Sequence, residues 1–344
     1  MLKLATVGTS WITSSFIEAA INTGKWELSA IYSRDASKAE ALLSKHRAAD
    51  GKAFSELDAV AAEKPDAVYI ASPNSLHCPQ SLFFLRSGIN VIVEKPAVVS
   101  AAEWVETERT AKQYGAYIFE AFRHLASPGY AALREAVSRI GPVRNAVFGF
   151  HQYSSKYESF KRGESPNVFN TAFAGGAMND IGVYPISLAA ALWGMPKRIL
   201  YSPVILAGGI DGAGSMILDY GGFMCGVSFS KIADGYAENE ILGEDGGVVF
   251  DKPQELSRIT LCERVKNTGP KLRLSDFGKN EAGRADVSVP MAENKMIYEA
   301  GLFADIINNR DHTEYDGLLR ISAITHQIMD TARKQADLST RRDN

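Results

Sequence analysis

A charged pair that follows an apolar run marks a first candidate site for chemistry. Residues 91–93 read Val-Ile-Val, which is typical of a buried strand, and Glu94, Lys95 and Pro96 follow directly. Ligands of open parallel sheets bind beyond the carboxyl ends of the strands. We therefore expect the Lys95 side chain to project into a crevice at that edge and to contact a ligand. An ordinary strand end is the alternative interpretation.

The turn after the first apolar run is a second candidate site, for phosphate. A strand and then a helix are predicted here, so the turn presents unpaired helix N–H groups to a ligand. The residues predicted to bind a dinucleotide are Gly8, Thr9, Ser10, Trp11 and Ile12. The pattern G-x-G-x-x-G is kept only at its first glycine, because Ser10 and Thr13 occupy the other two positions. A plain strand–turn–helix with a capping hydroxyl is equally consistent with these residues.

The end of the second predicted strand bears on the choice between NAD and NADP. An acidic residue at this point binds the ribose 2′-hydroxyl and would repel a 2′-phosphate. Ser33 and Arg34 stand there instead, and an arginine fork suits a phosphate. We predict that NADP(H) is the preferred cofactor and that NAD(H) is also accepted. The alternative is that Arg34 is a surface residue and Asp35 is the ribose ligand or a helix cap.

The elements that position these residues alternate between strand and helix over the first 120 residues. Strands are predicted at 2–7, 28–32, 67–71, 90–93 and 116–119, and helices at 14–22, 36–46, 79–87 and 100–114. Strands that are apolar throughout and alternate with helices indicate a parallel sheet covered on both faces. We therefore predict a doubly wound, Rossmann-type dinucleotide-binding domain over residues 1–122.

The pattern changes from about Ser127 onward, where strand-like segments dominate. Strands are predicted at 143–152, 198–206, 215–220, 223–230, 240–242 and 248–251, and helices at 130–139, 177–193, 292–309 and 317–335. Glycine-rich turn segments between these strands, as at Tyr220-Gly221-Gly222, are typical of hairpins. The sequence therefore predicts an α/β protein whose residues 123–344 form an α+β domain with a largely antiparallel open sheet, for substrate binding and oligomerisation.

Bulk composition excludes several classes of partner. The 344 residues suggest two domains, and a net charge of −3 gives no reason to expect nucleic acid. No apolar run is long enough to cross a bilayer, and the N-terminus lacks a secretory signal pattern. The three cysteines (Cys78, Cys225 and Cys262) lie far apart, which indicates a reducing compartment without disulfides or zinc spacing. We expect a cytoplasmic protein that binds neither a metal nor a membrane.

Four segments together resemble one enzyme family. They are Glu94-Lys95-Pro96, the stretch 71–77 (Ala-Ser-Pro-Asn-Ser-Leu-His), the stretch 119–123 (Phe-Glu-Ala-Phe-Arg) and the stretch 175–185 (Gly-Gly-Ala-Met-Asn-Asp-Ile-Gly-Val-Tyr-Pro). In this order they are similar to the signatures of the Gfo/Idh/MocA oxidoreductases. The resemblance covers nearly the whole chain and is more specific than the incomplete glycine pattern.

The resemblance implies roles for three catalytic residues. In the family, hydride passes between a carbinol carbon and the nicotinamide. By position, Lys95 contacts the reacting hydroxyl, Tyr184 is the acid/base, and Asp180 orients or binds the substrate. A phenol with a pKa of about 10 needs a nearby cation to act as a base, and Lys95 supplies one. A helix would place Asp180 and Tyr184 on one side, although Gly182 and Pro185 predict a kink.

Further polar residues are assigned with alternatives. Ser72, Pro73, Asn74, His77, Glu94 and Lys95 are predicted to contact the cofactor, and Arg123 and His151 to contact the substrate together with the three catalytic residues. The alternatives are turn or helix-cap chemistry for Asn74, support of Lys95 for Glu94, and an interdomain salt bridge for Arg123. A structural histidine is the alternative for His151.

The resulting functional hypothesis is an NADP(H)-dependent dehydrogenase or reductase. Its substrate would be a small polyhydroxylated molecule: a sugar, polyol, cyclitol or dihydrodiol. Two alternatives remain open: NAD-dependent, redox-neutral cleavage of glycosidic bonds, and a non-enzymatic regulator that senses sugars or dinucleotides. Family members that are such regulators tend to lose the catalytic lysine or its partner. The resemblance also implies a homo-oligomer, dimer or tetramer, through the exposed face of the C-terminal sheet.

Overall fold

The N-terminal part of the protein folds around a parallel sheet of six strands. The computed structural model describes residues 1–264 and 283–336. The strands are β1 (Leu2–Val7), β2 (Trp26–Tyr32), β3 (Lys52–Phe54), β4 (Ala67–Ile70), β5 (Asn90–Val93) and β6 (Ile118–Glu120). They lie in the order β3-β2-β1-β4-β5-β6, and every pair is parallel. The prediction of a doubly wound sheet is confirmed. The strand order reverses between β1 and β4, which is the point at which such sheets bind their ligands.

Five helices of the N-terminal part alternate with these strands. They are α1 (Trp11–Asn22), α2 (Ala36–Lys45), α3 (Leu57–Ala62), α4 (Asn74–Arg86) and α5 (Ala101–Tyr114). Helix α5 begins as predicted, because Ser100 accepts a hydrogen bond from the Glu103 N–H and Glu103 in turn accepts from the Val99 N–H. Helix α4 begins five residues earlier than predicted and runs through Pro79, so Asn74 lies in a helix rather than a loop.

The second sheet has eight strands and one covered face. Its strands are β7 (Val143–His151), β8 (Arg198–Ile205), β9 (Asp211–Asp219), β10 (Met224–Ser230), β11 (Asn239–Gly243), β12 (Gly246–Phe250), β13 (Ile259–Glu263) and β14 (Arg284–Asp286). Strands β10 and β7 pair in parallel and the remaining described pairs are antiparallel, so the prediction of a largely antiparallel sheet is confirmed. The sequence pattern missed β3, β13 and β14.

Alternation along the strands separates a buried face from an open one. Ala146, Phe148 and Phe150 of β7 are buried against helix α8 (Val183–Trp193) and its surroundings, because successive side chains of a strand point to opposite faces. Large apolar side chains lie exposed on the other face: Val147, Leu200, Val204, Ile217, Met224 and Leu242. Helices α6 (Pro128–Ser138) and α7 (Tyr157–Lys161) complete this region.

A wide helical turn precedes α8. Residues Met178–Gly182 form one turn of π-helix before the regular helix begins. The sequence predicts a single kinked helix over 177–193, and the structure shows the irregularity as this turn. Gly182 lies against the ring of Phe229, where an added Cβ would come within 2.8 Å of a ring carbon. The glycine therefore allows the turn to approach β10.

Two closing helices return to the N-terminal sheet. Helix α9 (Met296–Asn309) packs on α1, and α10 (His312–Gln335) packs on both α5 and α8. The Trp26 indole N–H donates to the Ala300 carbonyl at 2.8 Å, which fixes α9 on the first sheet. Helix α10 therefore holds the two sheets in one arrangement. Among the described helices, none has the length and apolar character needed to span a bilayer.

Candidate active site

Lys95 follows β5 and reaches the wide turn before α8. Its Nζ donates to the Asp180 carbonyl oxygen at 2.8 Å and lies 3.4 Å from Asp180 Oδ1. The same Nζ lies 5.0 Å from the centroid of the Tyr184 ring. Burial by itself would lower the pKa of Lys95, but the adjacent phenol and carboxyl groups raise it above its ordinary value. The structure therefore brings an ammonium, a carboxylate and a phenol together at one strand end.

Tyr184 presents its hydroxyl in this group without a hydrogen-bond partner among the described residues. The ring is 9% exposed and packs against the edge of His124, with ring centroids 5.2 Å apart. Burial raises the pKa of Tyr184, while Lys95 and Arg123 act in the opposite direction. The phenol is therefore protonated near neutral pH and is free to donate to a ligand oxygen.

His124 supports the Tyr184 ring rather than exchanging protons. It is 1% exposed, and its Nε2 lies 3.1 Å from Ser187 Oγ. Burial, together with the cations of Arg123 and Lys95, lowers the pKa of His124 to about 3. A histidine that stays neutral at physiological pH adds no charge beside the phenol.

Asp180 lies between two lysines, and the second of them is Lys231. Lys231 Nζ contacts Asp180 Oδ2, while Lys95 Nζ lies near Oδ1. Burial would raise the pKa of Asp180, but the two ammonium groups lower it, so the carboxylate is ionised. The sequence reasoning missed Lys231, although it directly follows the strand β10 much as Lys95 follows β5.

Arg123 lies at the junction of the two domains in an ion-pair network. Its Nη2 lies 3.0 Å from Glu255 Oε1, and Lys295 Nζ contacts the other oxygen of that carboxylate. Burial would lower the pKa of Arg123, but Tyr184 and Glu255 raise it. The structure thus gives Arg123 a salt bridge within residues 123–344 rather than the interdomain one left as an alternative, while its charge remains close to Tyr184.

The turn between β1 and α1 has the features of a phosphate site. Gly8 adopts φ +111°, and an added Cβ there would lie 2.9 Å from the Ala71 carbonyl oxygen, so this position requires glycine. Ser10 precedes α1 without a side-chain capping bond, which leaves the first helix N–H groups available to an anion. Trp11 is 78% exposed beside them, and Thr9 and Ile12 are half-buried.

The three residues after β2 differ in exposure and in their contacts. Asp35 caps α2, accepting from the Ser37 N–H at 3.1 Å and from its hydroxyl at 2.6 Å. Arg34 is exposed and has no partner among the described residues, while Ser33 is buried and its Oγ accepts from the Asp35 N–H. Of the alternatives left open by the sequence, the structure favours a helix cap for Asp35.

His77 is placed as a structural residue, which corrects the expectation that it contacts the cofactor. It is 1% exposed, and its two ring nitrogens each lie 2.8 Å from a backbone carbonyl oxygen, of Pro96 and of Ser72. Neither nitrogen is left for a ligand. The imidazole therefore ties the loop after β4 to the loop that carries Lys95.

The residues just before α4 and at its first position make further contacts near Lys95. The Ser72 hydroxyl donates to Gln80 Oε1 at 2.6 Å, and Asn74 Nδ2 donates to the Ala174 carbonyl of the second domain at 3.0 Å. Pro73 lies between them and is half-buried. Glu94 accepts a 2.6 Å hydrogen bond from the Tyr69 hydroxyl, which holds its carboxyl group next to Lys95.

His151 does not join the group around Lys95. Phe150, its neighbour on β7, packs with Tyr184 at a ring distance of 5.8 Å. Because strand residues alternate, His151 points to the opposite face of the sheet, against Gly149 and Gly235. This placement corrects the expectation of a substrate contact. No cluster of three or more metal-binding side chains occurs within residues 1–264 and 283–336.

Fold and site together define a class: a two-domain oxidoreductase with a dinucleotide-binding sheet. The model of the oxidoreductase family with an NAD-binding Rossmann fold matches residues 2–122, and that of the GFO/IDH/MocA C-terminal domain matches residues 130–249. The chain therefore belongs to the Gfo/Idh/MocA oxidoreductase family, as its motifs predict.

Two relatives match almost the full chain. The uncharacterized oxidoreductase YgjR of Escherichia coli is 36% identical over 97% of this chain and 96% of its own length. The scyllo-inositol 2-dehydrogenase (NADP(+)) IolU of Bacillus subtilis is 37% identical over 97% of both chains. A levoglucosan dehydrogenase solved with NADH and levoglucosan superposes with a TM-score of 0.79 over 97% of this chain and 98% of its own, at 16% identity. That last match shows the shared fold alone.

Proposed function

We propose that the protein interconverts a secondary hydroxyl and a ketone on a cyclitol or a related sugar or polyol, with NADP(H) as the redox partner. The observation that carries the proposal is the convergence of Lys95, Asp180 and Tyr184 at the carboxyl end of β5. Full-length similarity to a relative named as a scyllo-inositol dehydrogenase supports the cyclitol as substrate class.

NADP(H), when bound, supplies or accepts the hydride. The side chains around Lys95 move the proton and balance charge. In the reducing direction, the protonated Tyr184 hydroxyl donates its proton to the substrate oxygen while the Lys95 ammonium stabilises the negative charge on that oxygen. In the oxidising direction, the phenol must first ionise. Because burial raises the pKa of Tyr184, oxidation should accelerate as the pH rises and reduction should be favoured near neutrality.

The cofactor preference is proposed from the residues after β2. Arg34 is exposed and lacks a partner among the described residues, so its guanidinium is available to a 2′-phosphate. The Asp35 carboxylate is already bonded to Ser37, so it does not compete for the ribose hydroxyls. The NADP-dependent relative is consistent with this assignment.

A test of the proposed function compares the wild type with K95A and Y184F. Inositols, sugars and other polyols are offered with NADP, and reduced cofactor is followed by absorbance. We expect turnover by the wild type and a loss of about a thousandfold or more in each variant. NADPH binding, followed by fluorescence, should be retained in both. The exposed residues Lys112 and Tyr236 provide the controls K112A and Y236F.

The outcomes of this test discriminate between functions. Near-normal turnover by K95A and Y184F contradicts the assignment of these residues. Cleavage of glycosides without net change of NADP indicates the redox-neutral alternative. Cofactor or sugar binding without any turnover indicates a regulator, which the retained Lys95, Asp180 and Tyr184 argue against.

Self-association through the open face of the second sheet is also proposed. Six exposed apolar side chains lie there, from Val147 of β7 to Leu242 of β11. A monomer seldom leaves so extended an apolar surface in water. Pairing of two such faces would bury it, giving the dimer or tetramer expected from the sequence.

A further inference from the structure

Lys231 reaches the Asp180 carboxylate from the side opposite Lys95. Its Nζ contacts Oδ2, whereas Lys95 Nζ lies 3.4 Å from Oδ1. The Lys231 side chain is 10% exposed and that of Lys95 is 14% exposed. One carboxylate thus bridges two largely buried ammonium groups that come from different domains.

Backbone hydrogen bonds fix the position of Lys231. Its N–H donates to the Gly212 carbonyl at 2.9 Å, and its carbonyl accepts from the Ser154 N–H at 2.8 Å. Strand alternation puts its side chain on the same face as Phe229, which packs against Gly182 in the wide turn. The ammonium is therefore directed to Asp180 by a backbone that is bonded on both sides.

The charge balance of the site depends on this lysine. Lys95 and Asp180 alone would form a neutral pair, and the carboxylate would offset the charge that Lys95 offers to a substrate oxygen. With Lys231 the group carries two positive charges and one negative charge. Desolvation makes a buried lysine costly unless it is paired, and the Asp180 carboxylate provides that pairing for Lys231.

We propose that Lys231 is a positioning residue for the reaction: it binds one oxygen of Asp180 and so leaves the Lys95 ammonium available to the reacting oxygen and to the Tyr184 phenolate. This inference rests on the proposed function and extends it. Without Lys231, the Asp180 carboxylate would pair with Lys95 alone, and the site would lose its net positive charge.

The proposal predicts a change in the pH dependence of oxidation. Lys95, Arg123, Glu94 and Asp180 are the charged groups that act on the Tyr184 phenol. If Lys231 is removed, Asp180 opposes Lys95 more strongly, and the phenol ionises at a higher pH. Loss of one net charge in a buried site should raise the midpoint by about one pH unit, with about tenfold less phenolate at neutral pH.

The experiment measures kcat and KM for the polyol with NADP as a function of pH in wild type, K231M and K231R. K197M is the matched control, because Lys197 is an exposed lysine of the same domain. We expect about a tenfold lower kcat at neutral pH for K231M, with its rise moved to higher pH. K231R should largely restore the wild-type profile, and the KM for NADP should stay unchanged in all variants.

A double variant separates positioning from stability. If Lys231 acts through Asp180, replacing it in the background D180N should change kcat far less than it does in the wild type. A wild-type pH profile in K231M, or an equal loss in the D180N background, would overturn the inference. A wild-type protein that turns over no hydroxyl compound would instead overturn the proposed function, so the two failures are distinguishable.

Discussion

Replacing Arg34 by alanine should weaken the binding of NADPH and leave the binding of NADH nearly unchanged. Arg34 is exposed, follows β2 and has no ion-pair partner among the described residues. Its removal therefore breaks no internal contact, and the loss in affinity should equal the lost contact with the 2′-phosphate. NADH lacks this phosphate, so its affinity should stay within about twofold of the wild type.

The size of the effect follows from the exposure of Arg34. A hydrogen bond to a charged group contributes about 1.5–3 kcal/mol, and screening by solvent and salt favours the lower end for an exposed side chain. About 1.5 kcal/mol corresponds to about a tenfold rise in the Kd for NADPH. Because the contact is ionic, the difference should shrink as the salt concentration is raised.

The assay titrates wild type, R34A and R34K with NADPH and NADH and follows cofactor fluorescence. R34K should lie between the other two, since an ammonium keeps the charge but loses the fork. R109A is the control, because Arg109 is an exposed arginine on α5 of the same domain. Equal losses for NADPH and NADH in R34A, or no loss for either, would refute the 2′-phosphate role.

Two further predictions concern stability and assembly. E120A should lower the free energy of unfolding in urea by about 3 kcal/mol, because the buried Glu120 carboxylate lies 3.1 Å from His326 Nε2 and accepts from the Ala97 N–H. E135A, at an exposed glutamate, is the control. A change in the free energy of unfolding within about 0.5 kcal/mol in E120A would contradict the reasoning. L200D on the open sheet face should reduce the mass measured by sedimentation equilibrium relative to the wild type, whereas V105D, at an exposed valine of α5, should not; equal masses for L200D and wild type would refute an interface there.

The strands of the first sheet other than β3 were predictable because they are largely buried. All four residues of β4 are buried, so the strand appears in the sequence as an uninterrupted apolar run. Strand β14 has three residues, all exposed, and leaves no such signal. Its pairing with β13 depends on a partner more than twenty residues away in the chain, which a local pattern cannot reveal.

Helix ends were less predictable where capping or proline was involved. Helix α10 begins at His312 rather than near Gly317, because the Asp311 side chain accepts from the Glu314 N–H. The Asp-x-x-Glu spacing is a capping signal that the apolar pattern alone does not contain. Helix α4 continues through Pro79, although a proline usually ends a helix pattern.

At the site, the sequence identified the residues that belong to family motifs. It missed Lys231, which only a tertiary contact brings to the site. Lys95, Asp180 and Tyr184 were found because each stands in a segment that resembles the family. Lys231 lies outside those segments, and its partner Asp180 is 51 residues away. His77 stands in a motif, but its two carbonyl contacts become visible only once the loops are folded.

The irregular start of α8 explains why Lys95 contacts the backbone carbonyl of Asp180 in addition to its carboxylate. In a wide helical turn, a carbonyl pairs with the N–H five residues further along the chain. For Asp180 that residue is Pro185, which has no N–H. The Asp180 carbonyl can therefore accept from Lys95 Nζ at 2.8 Å. Pro185, which weakens a helix in the sequence, thus leaves free the backbone acceptor that holds Lys95 beside Tyr184.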